Sequence, residues 1–309
     1  MKIYQGYQEI NACYPKSIIT VGNYDGLHLG HRQIIEAVRD RAKAEKGTSV
    51  VYTFKPHPQS FLSPGTQIPL LNTYEEKLKL LEECGIDVVV EEPFGREFST
   101  VSPEKFFREI LVKRLCAFAV YVGYDFGFGN NRAGSLELLQ KMCSVEGVEV
   151  KVFKPLKIGD QICSSSQIRK YISTGDVHLA NKLLGREFFY SGHIVKGNGR
   201  GRTIGFATAN VHTGSNLWIK EGVYATRAVL KGKTYLSVTN IGRQPTFNTD
   251  SINPVVMESH LLNFDSDIYG ETLDVKFIQR LRDEKKFASI DELVKQINLD
   301  IQTAKQYYS

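Results

Sequence analysis

The amino-acid sequence predicts an α/β domain with a parallel sheet, followed by a small antiparallel β-barrel or sandwich that ends in one helix. Three observations predict it. β-branched runs alternate with segments of helical periodicity through the first half, the pattern of a parallel sheet with helices packed on it. After about Gly185, strand follows strand between glycine turns without long helical periodicity, as in small all-β folds. A final amphipathic segment opens on the capping pair Ser289 and Glu292 and lines Leu293, Ile297, Ile301 and Ala304 along one face.

In chain order, the first strand is the β-branched run Ser17 to Gly22. Ile34, Ile35, Val38 and Ala42 then recur at helical spacing up to Gly47. Thr48 to Phe54 reads as a buried strand closed by Pro56 and Pro58. Thr73 and Glu76 form a capping box ahead of Leu78 and Leu81, and Gly85 stops that helix. Asp87 to Val90 is a third strand, and Ser102-Pro103-Glu104 starts another helix with proline at its first position. Phe118 to Gly123 and Val148 to Phe153 complete the parallel set. In such sheets ligands bind beyond the carboxyl ends of the strands, where Gly22, Phe54 and Gly123 each introduce a motif. The second half supplies strands Phe188 to Val195, Gly222 to Leu230, Tyr235 to Ile241, Val255 to Leu262 and Thr272 to Ile278.

The 309 residues suffice for two domains. The expected boundary at Leu184-Gly185-Arg186 gives domains 1–185 and 186–309. With 42% hydrophobic and 24% charged residues, the chain has an ordinary soluble composition. No apolar run reaches the ~18 residues of a membrane span. The opening Met1-Lys2-Ile3-Tyr4-Gln5 lacks the pattern of a signal peptide, so the cytoplasm is the expected compartment. Cys13, Cys84, Cys116, Cys143 and Cys163 are odd in number, scattered and without a Cys-x-x-Cys. That argues against a zinc site or disulfide framework and for reduced, mostly buried thiols. A net charge of +5 suits anionic small molecules such as nucleotides as well as nucleic acid. The lack of a Lys/Arg block argues against a dedicated nucleic-acid arm. None of these features encodes an oligomeric state.

The string Gly22-Asn23-Tyr24-Asp25-Gly26-Leu27-His28-Leu29-Gly30-His31 joins the first strand to the first helix. A strand end leading into a helix start points backbone N–H groups and the helix dipole at an anion. Gly26 and Gly30 leave room for a phosphate or a purine ring. His28 and His31 share one side of the helix's first turn. Two imidazoles there can donate hydrogen bonds to phosphate oxygens that gain charge in a transition state. A bare His-x-x-His is more often a packing pair, whereas the ten-residue string after a strand is specific.

This string resembles the HIGH-type nucleotidyltransferase signature, here His28-Leu29-Gly30-His31. Its context resembles the adenylyltransferase half of bacterial bifunctional riboflavin kinase/FAD synthetases. Phe54-Lys55-Pro56-His57-Pro58 resembles that family's second loop, and Leu70-Leu71-Asn72-Thr73 with Glu76-Lys77 its third. Gly123-Tyr124-Asp125-Phe126-Gly127-Phe128-Gly129 resembles the loop beside nucleotide and flavin. Ser164-Ser165-Ser166-Gln167-Ile168-Arg169 resembles the motif that closes over the ATP phosphates. The resemblance implies a Rossmann-like sheet and catalytic roles for His28, His31 and Arg169. It implies substrate contacts from Gly22, Tyr24, Asp25, Gly26, Gly30, His57, Asn72, Asp125, Phe128, Ser165 and Ser166. Hydroxyls suit phosphate oxygens, and Arg169 is a permanent, forked cation. Gly127 departs from the larger, often basic residue of many relatives, and Ser166 replaces a common Thr. The implied reaction has the FMN phosphate attack the α-phosphorus of ATP, giving FAD and pyrophosphate by positioning and charge neutralisation.

Gly192 to Asn210 carries glycines around Arg200 and Arg202, a loop suited to wrapping phosphates. It resembles the riboflavin kinase signature, with Ala207-Thr208-Ala209-Asn210 where that family has Pro-Thr-Ala-Asn. The resemblance implies a riboflavin kinase-like barrel. It implies that Thr208 and Asn210 hold Mg²⁺ with ATP, and that Gly197, Arg200, Gly201, Arg202 and Asn240 contact the substrates. Oxygen ligands suit that hard cation. Glu258 matches the family's catalytic base, which would accept the riboflavin 5′-hydroxyl proton as that oxygen attacks the γ-phosphorus. Arg282 and Phe287 match residues that help enclose the flavin, and Glu284 continues the pattern. Riboflavin, FMN and FAD are thus substrate, intermediate and product, with ATP as co-substrate.

Two other readings compete. One keeps a single activity, motivated by Ala207 and Gly127. The other is a flavin-sensing or RNA-binding regulator on the same fold, compatible with the charge and with 11% aromatic residues. A pure binding module would not require His28, His31, Thr208, Asn210 and Glu258 together, which favours the enzyme.

Overall fold

The computed structural model describes residues 1–63, 65, 68–197, 201, 204–214, 217–243 and 255–308. They form two compact units, Met1–Ser165 and Ser166–Ser309.

The first unit contains β1 (Lys2–Tyr4), β2 (Ser17–Val21), α1 (Leu29–Glu45), β3 (Thr48–Lys55), α2 (Pro58–Leu62), α3 (Tyr74–Glu83) and β4 (Val88–Pro93). It continues with α4 (Arg96–Ser99), α5 (Pro103–Lys105), a π-helical stretch Phe106–Arg114, β5 (Ala117–Gly123), α6 (Leu136–Glu146) and β6 (Glu149–Phe153). A small hairpin, β7 (Lys157–Ile158) and β8 (Gln161–Ile162), follows. Six strands lie in one sheet in the order β1-β4-β3-β2-β5-β6, all parallel. Helices cover both faces, so β2 is buried at every position and reads as a continuous apolar run. Alternate residues serve opposite cores. Ile19, Val50 and Val120 join Phe107 and Ile110 on one face; Ile18, Val51 and Ala119 join Ile35, Val38 and Leu81 on the other. Each fully buried Ile, Leu or Val contributes about 1.5–3 kcal/mol. Strand order reverses beside β2, so the crevice beyond the carboxyl ends of β2 and β5 is the topological switch point.

The five expected parallel strands are β2 to β6, and β1 adds an edge strand on β4. One expectation is corrected. Cys13 and Cys116 form a disulfide across 103 residues of sequence, with Cα atoms 5.8 Å apart. They precede the neighbouring strands β2 and β5, a proximity that topology creates and sequence spacing hides. Cys84, Cys143 and Cys163 are buried thiols, as expected.

The second unit contains α7 (Ser165–Thr174), which starts at the unit boundary, α8 (Val177–Leu184), β9 (Phe188–Val195), β10 (Ala209–His212), β11 (Gly222–Leu230), β12 (Lys233–Arg243), β13 (Val255–Leu261), β14 (Thr272–Arg282) and α9 (Ile290–Lys305). Six antiparallel strands close a barrel in the order β10-β13-β12-β11-β14-β9, which decides between barrel and sandwich. Strand alternation sorts the residues of β11. Val223 and Ala225 pack outward with Val238 against Ala304 of α9. Tyr224 points the other way, edge-on to Phe277 at 5.2 Å. Thr226 on that inner side bonds Ser237 and Thr239 at 2.8 and 2.7 Å, so no buried hydroxyl of the group goes unpaired. Asn181 of α8 donates to Phe277 O at 2.8 Å and accepts from Phe188 N at 2.7 Å. α8 thus folds with the barrel, and the compact units divide about twenty residues before the boundary expected at Gly185.

Candidate functional site

In the first unit the candidate residues gather where β2 turns into α1. Gly22 donates its N–H to Tyr52 O at 3.0 Å and ends the β2 ladder. Gly26 adopts φ +85°, and an added Cβ would lie 2.7 Å from Leu71 Cδ1, so a side chain there is opposed by both backbone and space. His28 caps α1, its Nδ1 accepting from His31 N at 3.3 Å. The two imidazoles stack at 3.5 Å between centroids. The Tyr24 ring meets His31 edge-on at 5.2 Å, and a Cβ at Gly30 would press on the His28 ring at 3.2 Å.

A second layer holds this turn in place. Asn72 Oδ1 accepts from Gly26 N at 2.6 Å, Asp25 Oδ1 accepts from Leu71 N at 2.9 Å, and Ser165 Oγ donates to Asp25 O at 2.9 Å. Thr20 Oγ1 donates to Tyr121 O at 2.7 Å, so the Tyr24 hydroxyl donates to Thr20 Oγ1 in their mutual bond. Burial holds the Tyr24 hydroxyl far above its ordinary pKa. Tyr24, Asp25 and Asn72, expected as ligand contacts, are buried and brace the turn through these bonds. Phe128 is likewise buried, stacked on Phe126 at 5.3 Å, whereas Asp125 is exposed. His57 caps α2, and its N–H donates to the Tyr74 hydroxyl at 2.9 Å. Gly127 makes room for Arg132: a Cβ would sit 2.9 Å from Arg132 Nε, and Arg132 Nη2 donates to Asp125 O at 3.0 Å.

Two residues outside the expected set support this turn, one directly and one through Thr53. Cys163 Sγ lies 3.5 Å from His28 Nδ1. Burial raises the Cys163 pKa, against a lowering pull from the N–H groups of Gly30 and Leu29. Lys77 is the other. It follows the α3 stripe Lys77, Leu81, Cys84, and a lysine on an apolar stripe is the sequence signal for it. Ser166 and Arg169 lie on α7 of the second unit, Ser166 exposed and Arg169 half-buried.

In the second unit, register brings three candidates to one rung. Asn210 on β10 faces Glu258 on β13, and Glu258 faces Asn240 on β12. Directly opposed residues have Cβ atoms about 5 Å apart. Their strand neighbours Ala209, Met257, Ser259, Thr239 and Ile241 are buried, so alternation puts the three polar residues on the outer face. Burial raises the Glu258 pKa, and the charge of Glu284 adds to the effect. Asn240 Nδ2 donates to Glu284 Oε1 at 3.0 Å. Thr208 is exposed just before β10. His260 Nδ1 donates to Ala207 O at 2.8 Å, which fixes the backbone where the resembled family has proline. A Cβ at Gly197 would overlap the Asn210 amide, and one at Gly201 would come within 3.5 Å of Thr208 Oγ1. Arg282 is committed elsewhere, forked onto Asp300 of α9 at 2.7 and 2.9 Å, with the Phe287 ring 5.9 Å from its guanidinium. Arg200 and Arg202 lie outside the described residues.

The FAD synthetase family matches residues 10–167, and the riboflavin kinase family residues 184–308. A bifunctional riboflavin kinase/FMN adenylyltransferase of Bacillus subtilis is 35% identical over 95% of the chain and 93% of its own length. That of Escherichia coli K12 is 34% identical over 100% and 98%, and that of Buchnera aphidicola from Schizaphis graminum 32% over 100% and 99%. A crystal structure described as a macrolide-efflux protein from Streptococcus pneumoniae superposes with TM-score 0.89 at 28% identity, covering 98% of each chain. Among the described residues no helix is long and apolar enough to cross a membrane.

Proposed function

This chain belongs to the bifunctional riboflavin kinase/FMN adenylyltransferase family, and from that membership we propose how its residues share the work. It phosphorylates riboflavin to FMN with ATP and adenylylates FMN to FAD with release of pyrophosphate. We assign residues 1–185 to adenylyl transfer and 186–309 to the kinase. Because α7 and α8 belong to the second compact unit, chemical and structural divisions do not coincide.

For adenylyl transfer, an oxygen of the FMN phosphate forms the bond to the α-phosphorus of ATP as the bond to pyrophosphate breaks. The attacking phosphate is already ionised, so no general base is required. His28 Nδ1 accepts a backbone N–H, which assigns the neutral ring's proton to Nε2, the nitrogen that would donate to a phosphate oxygen. His31, stacked on it, is the second donor; Arg169 and the Ser166 hydroxyl carry the phosphate-binding role that the family resemblance implies, and Ser165, whose Oγ donates to Asp25 O, holds the turn. Gly22, Gly26 and Gly30 keep the turn open to phosphate. Tyr24, Asp25 and Asn72 brace it from behind, and His57, Asp125 and Phe128 border it.

For the kinase, Glu258 accepts the 5′-hydroxyl proton as that oxygen attacks the γ-phosphorus and ADP leaves. A carboxylate with a raised pKa is a better proton acceptor, in keeping with its half-buried rung. Thr208 and Asn210 fit Mg²⁺. They present a hydroxyl and an amide oxygen, and Gly197 leaves space against the Asn210 amide that a side chain would fill. When bound, the ion would neutralise ATP phosphate charge. Asn240, Gly197, Gly201, Arg200 and Arg202 complete the nucleotide contacts on this reading. Arg282, held by Asp300, shapes the flavin side through Phe287. The cytoplasm is the proposed compartment. Neither Cys13 nor Cys116 belongs to a candidate site.

The observation that carries the two-site reading is that two separate clusters form in different units: the stacked His28 and His31 in one, the Asn210–Glu258–Asn240 rung in the other. The test is to incubate the protein with riboflavin, ATP and Mg²⁺ and separate the flavins. FMN followed by FAD is expected. FMN without FAD would remove the adenylyltransferase, and no FMN would remove the kinase.

A further inference from the structure

Resting on the assignment of adenylyl transfer to the first unit, we infer that Lys77 is a positioning residue for that reaction, a buried cation that braces the turn carrying His28 and His31. Lys77 is 3% exposed on the core side of α3. Its Nζ donates to Thr53 Oγ1 at 3.1 Å and to Phe54 O at 3.4 Å, at the carboxyl end of β3. Thr53 Oγ1 in turn donates to Asn23 O at 3.2 Å. The ammonium has no lone pair, so Thr53 must accept from it and direct its own proton to Asn23. The relay therefore runs in one direction, from α3 through β3 to the second residue of the phosphate turn. It parallels the braces from Asn72 to Gly26 and from Leu71 to Asp25.

The charge has a second consequence. Asp25 of the turn and Glu91 of β4 attract the ammonium, Lys55 of β3 repels it, and the Tyr74 ring of α3 lies 5.1 Å away. Burial outweighs the attraction and lowers the Lys77 pKa to about 8. FMN and ATP are both polyanions, and a cation beneath their turn favours their approach. Loss of the proton removes that charge while leaving a weaker N–H donor. The same burial makes the charge costly to fold. The cost is fully present below pH 8 and is relieved as pH rises from there toward the unfolded value near 10.5. Stability and adenylyl transfer should therefore move in opposite directions across one pH window.

The test compares wild type with Lys77→Met in FAD formation from supplied FMN, with riboflavin phosphorylation and thermal unfolding measured on the same preparations. Lys77→Met should lose about tenfold to a hundredfold in kcat/KM for adenylyl transfer, with a circular dichroism spectrum and kinase rate like wild type. Wild-type adenylyl transfer should fall as pH passes through about 8, Lys77→Met should lack that limb, and wild type should gain stability relative to the variant over the same range. A variant with wild-type adenylyl transfer and an unchanged alkaline limb overturns the inference. If the variant does not fold, the wild-type profile decides, and a flat profile from about pH 7 to 9.5 overturns it. Wild type that makes no FAD from FMN would instead remove the adenylyltransferase assignment, and this inference with it.

Discussion

His31 and Glu258 belong to different units and, on the proposed assignment, serve different reactions, so each can be removed while the other reaction reports on the chain. His31→Ala takes away one hydrogen-bond donor to a charge that grows in the transition state. FAD formation from supplied FMN should fall by about 10²–10³, with riboflavin phosphorylation unchanged. Glu258→Gln keeps the rung with Asn210 and Asn240 but cannot accept a proton. Kinase turnover should fall by about 10²–10⁴, with adenylyl transfer unchanged. The raised Glu258 pKa, caused first by burial and then by Glu284, gives the kinase a definite pH response. The base works deprotonated, so kinase rate should drop on acidification over a range above the ordinary carboxylate value, and the Gln variant should lack that limb. Equal damage to both reactions from both changes would contradict the two-site assignment. The motif strings made these residues legible. Their company was not legible, because 48 positions separate Asn210 from Glu258 and only barrel register opposes them.

At the scale of elements, the strands most legible in sequence were those buried on both faces, such as β2 and β3, whose β-branched runs have no polar alternation to blur them. Besides the two-residue strands β7 and β8, two short strands escaped. β1 has three residues, two of them exposed, and β10 hides four residues at the end of a glycine loop. β10 matters, since it places Asn210. The terminal helix was legible from its capping pair and apolar stripe, but its polar anchor was not. Asp300 of α9 receives Arg282 of β14 through bonds of 2.7–3.1 Å, and Gln296 adds another at 2.9 Å. Only 5% of the Asp300 side chain and 22% of Arg282 are exposed, so this pair is shielded from solvent. Asp300→Ala strands the guanidinium against α9. It should lower the stability of the second unit by about 3 kcal/mol, read as an earlier denaturant midpoint with loss of kinase activity ahead of adenylyl transfer. An unchanged midpoint would mean that apolar contacts under α9 suffice.

At the scale of the whole molecule, two reactions in sequence on one chain raise the question of how the intermediate travels. The unit boundary, the disulfide and the braces of the phosphate turn arise from tertiary topology and were beyond the reach of local sequence patterns. The order of the two chemistries was readable from motifs alone. On the proposed assignment FMN is the product of the Glu258 site and the substrate of the His31 site, and the Glu258 rung and the His28–His31 stack form in different units. Nothing in that arrangement requires both sites to belong to the same copy of the chain. A mixture of His31→Ala and Glu258→Gln proteins should therefore convert riboflavin to FAD, although neither variant does so alone. The FMN made by the first variant would leave it, build up in solution and be adenylylated by the second. FAD should appear after a lag that shortens as protein concentration rises, because the second step depends on the bulk FMN level. The measurement is a time course of riboflavin, FMN and FAD in the mixture. Accumulation of FMN without FAD, with each variant active in its retained half-reaction, would show that FMN must pass directly between the two sites of one chain.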